Sequence, residues 1–337
     1  MKAIGFTQPL PISEATSLID IELPDPIPQA RDLLVEVKAV SVNPVDVKVR
    51  VRAAPTAGEP RVLGWDAAGV VQAVGDKVTG FKPGDRVWYA GDITRPGSNA
   101  ALQLVDERIV GLMPASLDFA EAAAMPLTTI TAWELLFDRL KVQQADPAAS
   151  NRLLIVGAAG GVGSILIQLA RKLTGLAVIA TASRPETREW VTSLGAHHVI
   201  NHGKPWQPQL AALGIDDVTH VIGLNHTGNY LDQIADVLRA EGQLALIDDP
   251  GVLDIAPFKH KSISVHWEFM FTRSMFGTAS LTRQHDLLTR VAALVDDGTL
   301  RTTLTERMQG INAANLRRAH AKIEHGGSIG KIVLEGF

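Results

Sequence analysis

Cysteine is absent from this 337-residue chain, and histidine is absent from its first 196 residues. The missing thiols exclude disulfide bonds, thiolate zinc sites and cysteine nucleophiles. All ten histidines lie at or beyond His197. A metal ion bound before that point would need carboxylate ligands alone, which suit Mg²⁺ or Ca²⁺ better than zinc.

The chain also has no excess of positive charge and no apolar segment near its first residue. Its net charge is −4 and its isoelectric point is about 6.2, so no basic surface for nucleic acid or membrane lipid is predicted. The opening stretch, MKAIGFTQPLPISEA, contains no apolar run typical of a secretory signal. We therefore expect a cytoplasmic protein that binds neither nucleic acid nor membrane.

The segment 153–170 reads LLIVGAAGGVGSILIQLA and carries the strongest signal in the sequence. Four apolar residues predict a buried parallel strand, and an apolar helix pattern follows the glycines. Strand, glycine turn and helix in this order are typical of a dinucleotide-binding turn. The glycines let the backbone approach a pyrophosphate, and the helix N-terminus supplies N–H groups and partial positive charge. The predicted cofactor-binding residues here are Gly157, Gly160, Gly161, Val162 and Gly163.

A membrane span is the alternative interpretation of this segment, because its eighteen residues carry no charge and are long enough to cross a bilayer. Four glycines within seven positions make a poor span, however. Charged residues also flank the segment directly, with Arg152 before it and Arg171-Lys172 after it. We therefore favour the nucleotide-binding turn.

Two composition patterns divide the chain into domains. Residues 1–121 are β-rich, with an alternating run at 33–40 and frequent prolines, which indicates a small irregular barrel. In residues 122–262, predicted strands and helices alternate as they do in a doubly wound fold. The strands are predicted near 153–156, 177–182, 198–200, 219–223 and 243–247, and the helices near 162–173, 185–194 and 229–239. The tail predicts a helix near 282–295 and a closing strand at 330–334. We predict that a nucleotide domain, 122–262, is inserted between two parts of a catalytic domain, 1–121 and 263–337.

Several motifs resemble the medium-chain dehydrogenase/reductase superfamily over nearly the whole chain. They are Ser41-Val42-Asn43-Pro44-Val45-Asp46, Leu63-Gly64-Trp65-Asp66-Ala67-Ala68-Gly69, Val74-Gly75 through Gly84-Asp85-Arg86-Val87, Pro126-Leu127-Thr128-Thr129-Ile130-Thr131-Ala132, the glycine turn, and Gly330-Lys331-Ile332-Val333-Leu334. The chain is similar to the quinone oxidoreductase branch and, more narrowly, to a bacterial zinc-type alcohol dehydrogenase-like subgroup. The resemblance implies an α/β fold in which a Rossmann doubly wound parallel sheet is inserted in a GroES-like irregular β-barrel domain. It also implies a homodimer formed through the Rossmann edge strand, here around residues 255–268.

Zinc-containing members of the superfamily carry an early Cys, a Gly-His-Glu motif and four clustered Cys. In this chain Gly64-Trp65-Asp66 stands at the Gly-His-Glu position, and the four-Cys lobe has no counterpart. A catalytic zinc polarises an alcohol or carbonyl oxygen as a Lewis acid. Because the ligands are missing from the sequence, we predict chemistry without zinc.

The residues after the second Rossmann strand favour NADP(H) over NAD(H). An NAD-specific site places a carboxylate about twenty residues past the glycines, whereas no acid appears here until Glu186. Ser183 can donate to a 2′-phosphate, and Arg184 can pair with it or stack on the adenine; alternatively, Arg184 is a solvated helix-start residue. The resemblance adds cofactor contacts that are equally explained as ordinary loop or strand-end residues: Thr128, Thr131, Asn225, Ile247 and Lys331.

Three polar residues of the predicted barrel are candidates for the chemistry. Asn43 precedes Pro44, where its amide can orient a substrate or simply stabilise a turn. Lys48 stands where quinone oxidoreductase relatives often carry a tyrosine. If partly buried, Lys48 can stabilise an enolate or donate a proton; if exposed, it is a surface charge. Asp66 can pair with Lys48 or cap a turn.

A flat, apolar substrate would need aromatic walls and a few polar contacts. Trp65 is a candidate wall, and Phe271 with Arg273 can add a second wall and a cation. The aromatic stretch 266–273 is alternatively part of a core or a subunit interface. The predicted pocket residues are Trp65, Tyr89, Asn99, Phe271 and Arg273.

These observations predict a zinc-independent, NADPH-dependent reductase of quinones or α,β-unsaturated carbonyls. Such a reaction needs the nicotinamide held against an electrophilic carbon and donors aimed at the oxygen that gains negative charge. One alternative is an alcohol or aldehyde dehydrogenase of the zinc type, which would contain zinc. Another is a nucleotide-binding sensor or structural protein, which would bind NADPH without turnover.

Overall fold

The computed structural model describes residues 1–53, 55, 59–143 and 151–337. Part of the polar connector predicted at 138–152 therefore lies outside the described residues. The chain forms two compact units: Met1–Ile130 with Phe271–Phe337, here called the split unit, and Thr131–Met270, here called the inserted unit. The predicted boundaries, after residues 121 and 262, lie several residues earlier. The difference arises because the first observed boundary falls within a helix and the last strand before Met270 joins the inserted unit's sheet.

Strands form the sheets of the split unit and the centre of the inserted unit. Within the described residues they are β1 (Lys2–Phe6), β2 (Ile19–Glu22), β3 (Asp32–Ser41), β4 (Arg61–Val62), β5 (Ala67–Val74), β6 (Arg86–Tyr89), β7 (Leu102–Asp106), β8 (Val110–Leu112), β9 (Arg152–Val156), β10 (Ala177–Thr181), β11 (His198–Ile200), β12 (Val218–Gly223), β13 (Leu238–Leu246), β14 (Ser264–Trp267), β15 (Leu304–Gln309) and β16 (Lys331–Glu335).

The α-helices of the described residues lie in both units. They are α1 (Pro44–Arg52), α2 (Phe119–Ala123), α3 (Pro126–Trp133), α4 (Gly161–Leu173), α5 (Pro185–Ser193), α6 (Trp206–Ala211), α7 (Leu231–Val237), α8 (Thr272–Phe276), α9 (Arg283–Asp296) and α10 (Ala313–His325). A π-helical segment, Glu134–Arg139, continues α3, and 3-10 turns lie at Glu107–Ile109, Thr227–Tyr230 and Ala256–Lys261. No described helix is both long and apolar enough to cross a membrane.

The inserted unit is built on a six-stranded parallel sheet in the order β11-β10-β9-β12-β13-β14. Chain order reverses at β9, so that β10 lies on one side of it and β12 on the other. The strands next to this reversal are apolar and buried, as both faces of a parallel sheet require. This is the predicted Rossmann doubly wound topology, and the predicted fold class is confirmed.

The split unit contains a mostly antiparallel seven-stranded sheet, in the order β15-β16-β3-β5-β6-β8 with β7 also paired to β3, and a three-stranded sheet β2-β1-β4. Buried and half-buried residues alternate along most of β3, as the alternating run in the sequence predicts. Register shifts between β3 and β5 make the sheet irregular.

Several helices of the split unit, among them α1, α8 and α10, were not predicted from the sequence. The alternating valines of α1 resemble a strand, but Pro44 at its first position and a capping box between Asn43 and Asp46 favour a helix start. Asn312 caps α10 by accepting the backbone N–H of Asn315 at 2.9 Å. The helix predicted at 229–239 was also too long, because β13 begins at Leu238.

Candidate functional site

The glycine turn joins the end of β9 to the start of α4 in the inserted unit. Gly157 has a φ of +79°, which side-chain-bearing residues rarely adopt. A Cβ added to Gly163 would lie 2.3 Å from the carbonyl oxygen of Ala158, so only glycine allows the helix to pack this closely on the turn. The turn is therefore shaped by its glycines, as the sequence predicts.

The start of α4 suits a phosphate group. The first backbone N–H groups of a helix have no partner within that helix, and the cap residue Gly160 has no side chain to accept them. These N–H groups, together with the positive end of a thirteen-residue helix, form a typical anion site. The residues present thus fit a dinucleotide's pyrophosphate.

The other predicted cofactor residues of the inserted unit follow the ends of neighbouring parallel strands. Ser183 and Arg184 follow β10, Asn225 follows β12, and Ile247 follows β13. Because the carboxyl ends of parallel strands meet at one edge of a sheet, the structure brings these four residues to the edge that carries the glycine turn. Ser183, Arg184 and Asn225 are exposed and Ile247 is half-buried.

Two supporting contacts at this edge were not predicted. The Oγ1 of Thr181, at the end of β10, accepts the N–H of Gly157 at 3.2 Å. The carboxylate of Asp248 accepts both the N–H and the hydroxyl of Thr227 at 2.7 Å, which fixes the loop after β12 to the end of β13. Both residues are polar side chains at strand ends, which is the signal that could have identified them.

A buried charge cluster lies in the split unit and is formed by Asn43, Asp46, Asp66 and Lys331. The Nζ of Lys331 lies 2.5 Å from Asn43 Oδ1, 2.9 Å from the carbonyl oxygen of Val42 and 3.2 Å from Asp66 Oδ2. Asn43 Nδ2 donates to Asp66 Oδ2 at 3.1 Å. Sheet pairing assembles the cluster: Val333 on β16 opposes Ser41 on β3, and continuing that antiparallel register sets Lys331 opposite Asn43.

Burial dominates the ionisation of this cluster. It raises the pKa of Asp46 to about 7, although the backbone N–H of Asn43 donates to that carboxylate at 2.6 Å. It also raises the pKa of Asp66 and lowers the pKa of Lys331, and the attraction between these two groups opposes both shifts. One buried cation therefore faces two buried carboxylates, and Asp46 changes charge near neutral pH.

The cluster does not suit a zinc ion. Asp66, at the position of the zinc motif, has Oδ1 accepting the N–H of Leu127 at 3.1 Å and Oδ2 accepting Asn43 and Lys331. A metal ion would have to displace these donors and share the site with an ammonium group. Elsewhere in the described residues, no group of three or more His, Asp or Glu side chains could hold a metal ion.

The cluster changes how two predicted residues are understood. The cation at the Asp66 carboxylate is Lys331, whereas the sequence suggested Lys48. All three N–H groups of Lys331 have acceptors in the split unit, so its predicted contact with the cofactor would require one of those bonds to break. Asn43 likewise uses its amide within the cluster, since Nδ2 also lies 3.3 Å from the carbonyl oxygen of Ser41. Lys48 is half-buried on α1.

The structure brings together two of the five predicted pocket residues. The rings of Trp65 and Phe271 meet edge to face, with centroids 6.1 Å apart, and both side chains are buried. Trp65 Nε1 donates to the carbonyl oxygen of Asp92 at 3.2 Å. Arg273 is also buried, and its Nε donates to Ser280 Oγ at 3.3 Å.

The remaining predicted site residues are buried as well. Tyr89 lies at the end of β6, where burial raises its pKa, and its hydroxyl has no hydrogen-bond partner within the described part of the chain. The amide of Asn99 lies beside the backbone of Gly64. Thr128, in α3, donates its hydroxyl to the carbonyl oxygen of Met125 just before that helix at 3.1 Å, and Thr131 is buried in the inserted unit.

Comparison with known families gives two matches along the chain. Residues 29–129 match the alcohol dehydrogenase GroES-like domain, and residues 194–334 match the zinc-binding dehydrogenase family. A zinc-type alcohol dehydrogenase-like protein of Staphylococcus aureus is 39% identical over 340 residues, which cover 99% of each chain. A quinone oxidoreductase of Lama guanicoe is 29% identical over 92% of this chain and 90% of its own.

Solved structures share the whole architecture. A protein of Rhizobium etli described as a candidate zinc-dependent alcohol dehydrogenase superposes with a TM-score of 0.97 at 58% identity, covering 100% of this chain and 98% of its own. Escherichia coli quinone oxidoreductase, solved in complex with NADPH, superposes with a TM-score of 0.83 at 23% identity over 100% of both chains. At that identity the second likeness shows a shared fold.

Proposed function

Because the chain belongs to the medium-chain dehydrogenase/reductase superfamily, in its quinone oxidoreductase-like branch, it is an oxidoreductase, and we propose that it uses NADPH to reduce quinones or α,β-unsaturated carbonyls without zinc. The observation that carries this proposal is the occupation of the zinc-motif carboxylate, Asp66, by N–H donors and by Lys331. A reaction that needs no Lewis acid is the one that such a site can support.

NADPH is favoured by the edge of the inserted unit. Ser183 and Arg184 are exposed there. Between the end of β10 and Glu186 the chain has no carboxylate that would repel a 2′-phosphate. Arg184 caps α5, with its Nε 3.3 Å from Glu186 Oε1, so a phosphate would compete with one exposed ion pair. Gly157, Gly160, Gly161, Val162 and Gly163 would hold the pyrophosphate, and Asn225 and Ile247 would border the nicotinamide end.

The protein's own contribution to the reduction would be orientation and charge stabilisation. A bound NADPH supplies the two electrons and one hydrogen that a quinone or a polarised C=C bond requires. Lys48 would donate a hydrogen bond to the substrate oxygen that gains negative charge, and the one proton that completes the reduction would come from Lys48 or water. Trp65 and Phe271 would supply flat apolar surface.

A second candidate function follows from the names of two of the relatives. The Staphylococcus aureus and Rhizobium etli proteins are both described in zinc-type or zinc-dependent alcohol dehydrogenase terms. An alcohol or aldehyde dehydrogenase of that kind would require zinc at a centre where this chain has Trp65 and Asp66. A third possibility, a nucleotide-binding sensor, would bind NADPH and convert no substrate.

The decisive experiment is a steady-state assay of NADPH oxidation with a panel of small quinones and a panel of enones, each with and without a chelator. We expect turnover that the chelator leaves unchanged, and a lower KM for NADPH than for NADH. Alcohol oxidation that the chelator abolishes, with zinc found by elemental analysis, would establish the dehydrogenase instead. Tight NADPH binding without turnover on either panel would favour the sensor.

We also propose that two copies pair through β14. This strand is one of the two outer strands of the parallel sheet, so within the described residues one of its edges faces no neighbouring strand of that sheet, and Trp267 at its end is exposed. Light scattering coupled to size-exclusion chromatography should give twice the mass of one chain. Val265→Pro, which removes an edge N–H, should shift the protein toward the monomer.

A further inference from the structure

The Asp66 carboxylate connects the starts of two helices of the split unit. Oδ1 accepts the N–H of Leu127, the second residue of α3, and Oδ2 accepts the side-chain amide of Asn43, the cap of α1; both distances are 3.1 Å. The two helix starts are far apart in sequence. One buried carboxylate therefore bridges the two helix starts.

Lys331 provides the positive charge that this carboxylate needs. It lies 3.2 Å from Asp66 Oδ2 and also donates to Asn43 Oδ1, so the same ammonium group contacts the carboxylate and the cap of α1. Lys331 and Asp66 are both buried, and an unpaired buried charge is strongly unfavourable. The arrangement resembles a metal centre in which the cation belongs to the chain itself.

We propose that Asp66 is a positioning residue that holds α1, which carries Lys48, at a fixed distance from α3, which carries Thr128, with Lys331 as its internal countercharge. The proposal rests on the proposed function, because Lys48 is there assigned to the substrate and Thr128 is the residue suggested for the cofactor. Asp66 itself touches neither ligand in this assignment. It acts through the two helix starts that its oxygen atoms bind.

Asp66→Asn tests the connection with little change of volume. The amide has one acceptor oxygen where the carboxylate has two. Its NH₂ group would then face a donor, either the N–H of Leu127 or the pair formed by Asn43 and Lys331. One of the two helix starts must lose its hydrogen bond, and Lys331 loses its countercharge.

Glu107 offers a matched control within the same unit. Its buried carboxylate also accepts two main-chain N–H groups, from Thr79 and Gly80 at 3.0 Å, and pairs with the cation Arg31 at 2.6 Å. It contacts neither α1 nor α3 in these bonds. Glu107→Gln therefore reproduces the loss of a buried, hydrogen-bonded carboxylate without disturbing the proposed connection.

The experiment compares the full-length wild type, D66N and E107Q by hydrogen–deuterium exchange and by kinetics. We expect D66N to speed amide exchange in both α1 and α3 and to lower kcat about tenfold or more, with a smaller change in the substrate KM, because misplaced groups cost rate more than binding. E107Q should change neither helix and should retain the wild-type kcat even where its loss of Tm equals that of D66N.

Several outcomes would overturn the proposal. Faster exchange in only one of the two helices would refute the connection, and so would equal kcat values for D66N and E107Q. If D66N does not fold, Asp66→Glu keeps the charge and takes its place: faster exchange in both helices supports the proposal, and unchanged exchange contradicts it. The exchange measurement needs no substrate, so a wild type without quinone or enone turnover would refute the proposed function while the exchange data still decide the role of Asp66.

Discussion

The two units assemble their candidate residues in opposite ways. In the inserted unit, the sheet edge proposed to bind the nucleotide, here called the nucleotide edge, consists of residues that follow strand ends. Ser183, Arg184 and Asn225 at this edge are exposed. In the split unit, the charge cluster joins residues from distant parts of the chain, Lys331 and Asn43 being 288 positions apart, and it is buried.

This difference separates two physical strategies. The nucleotide edge presents N–H groups and exposed side chains to a ligand, so its energy is realised when the ligand binds. The charge cluster satisfies its polar groups internally, so its energy is realised when the chain folds. Variants at the edge should therefore affect binding, whereas variants in the cluster should affect stability and the placement of helices.

The largest effect on NADPH binding is expected at Gly163, where α4 packs closely on the glycine turn. Gly163→Ala would set a Cβ 2.3 Å from the carbonyl oxygen of Ala158, which would push α4 away from the turn. We expect NADPH binding to weaken by about 100-fold or more, measured by fluorescence titration. In Gly160→Ala the nearest atom to the new Cβ is 3.6 Å away, so that variant should keep the wild-type Tm. Wild-type binding by G163A would remove the packing argument.

The next effect tests whether the charge cluster is internally compensated. Lys331→Met leaves two buried carboxylates without a cation and should cost about 3–5 kcal/mol in the free energy of unfolding, measured by urea denaturation. The double variant D66N/K331M should recover part of that loss. Lys322→Met, which removes an exposed ion pair with Glu306, should change stability by no more than about 1 kcal/mol. Equal losses for K331M and K322M would contradict the distinction between buried and exposed charge.

The pH dependence of stability isolates Asp46. Because its pKa in the folded protein is raised from 3.8 to about 7, the folded state holds a proton that the unfolded state releases between those values. The contribution of this group to stability is therefore greatest below about pH 4 and falls as pH rises through 7, by about 4 kcal/mol in total at most. Asp46→Asn, which retains an acceptor for the N–H of Asn43, should be more stable relative to wild type at pH 8 than at pH 4.5. Parallel stability curves for the two proteins would contradict this assignment.

The smallest effect concerns a side chain at the exposed edge. Arg184→Ala should weaken NADPH binding about tenfold, equivalent to about 1.4 kcal/mol, and should leave NADH binding unchanged, because only NADPH carries the 2′-phosphate. Arg188→Ala supplies the control on the same helix, since Arg188 is exposed but bonds main-chain carbonyl groups of Ala182 and Val199. Equal losses for NADPH and NADH would contradict the preference for NADPH.

Elements whose sequence shows a clear periodic pattern were predicted well, and elements without one were not. Strand β11 matches its predicted bounds, and β9, β10, α4 and α5 are within one residue of theirs, because buried parallel strands and amphipathic helices leave periodic patterns. Helix α1 was missed because its alternating valines imitate a strand, whereas its start depends on a capping bond between Asn43 and Asp46.

The sequence did not reveal which residues pair with each other in the charge cluster. Asn43 and Asp66 were identified as candidates, and the sequence left open whether Asp66 pairs with Lys48 or caps a turn. The pairing of β16 with β3 brings Lys331 there instead. A charge pair depends on which segments of the chain pack together, and the local sequence pattern does not show this.

The amino-acid sequence alone was enough to predict the glycine turn, the alternation of strands and helices around it, and the lack of thiol and early imidazole ligands. The conformational freedom of glycine and the periodicity of burial act over a few residues, so a short stretch of sequence is enough to recognise them. The folded arrangement of distant segments was needed to show that Lys331 is the cation beside Asp66 and that Asp46 is buried deeply enough to raise its pKa to about 7. Burial and charge pairing arise from strands far apart in the chain, and they exist only once those strands are paired.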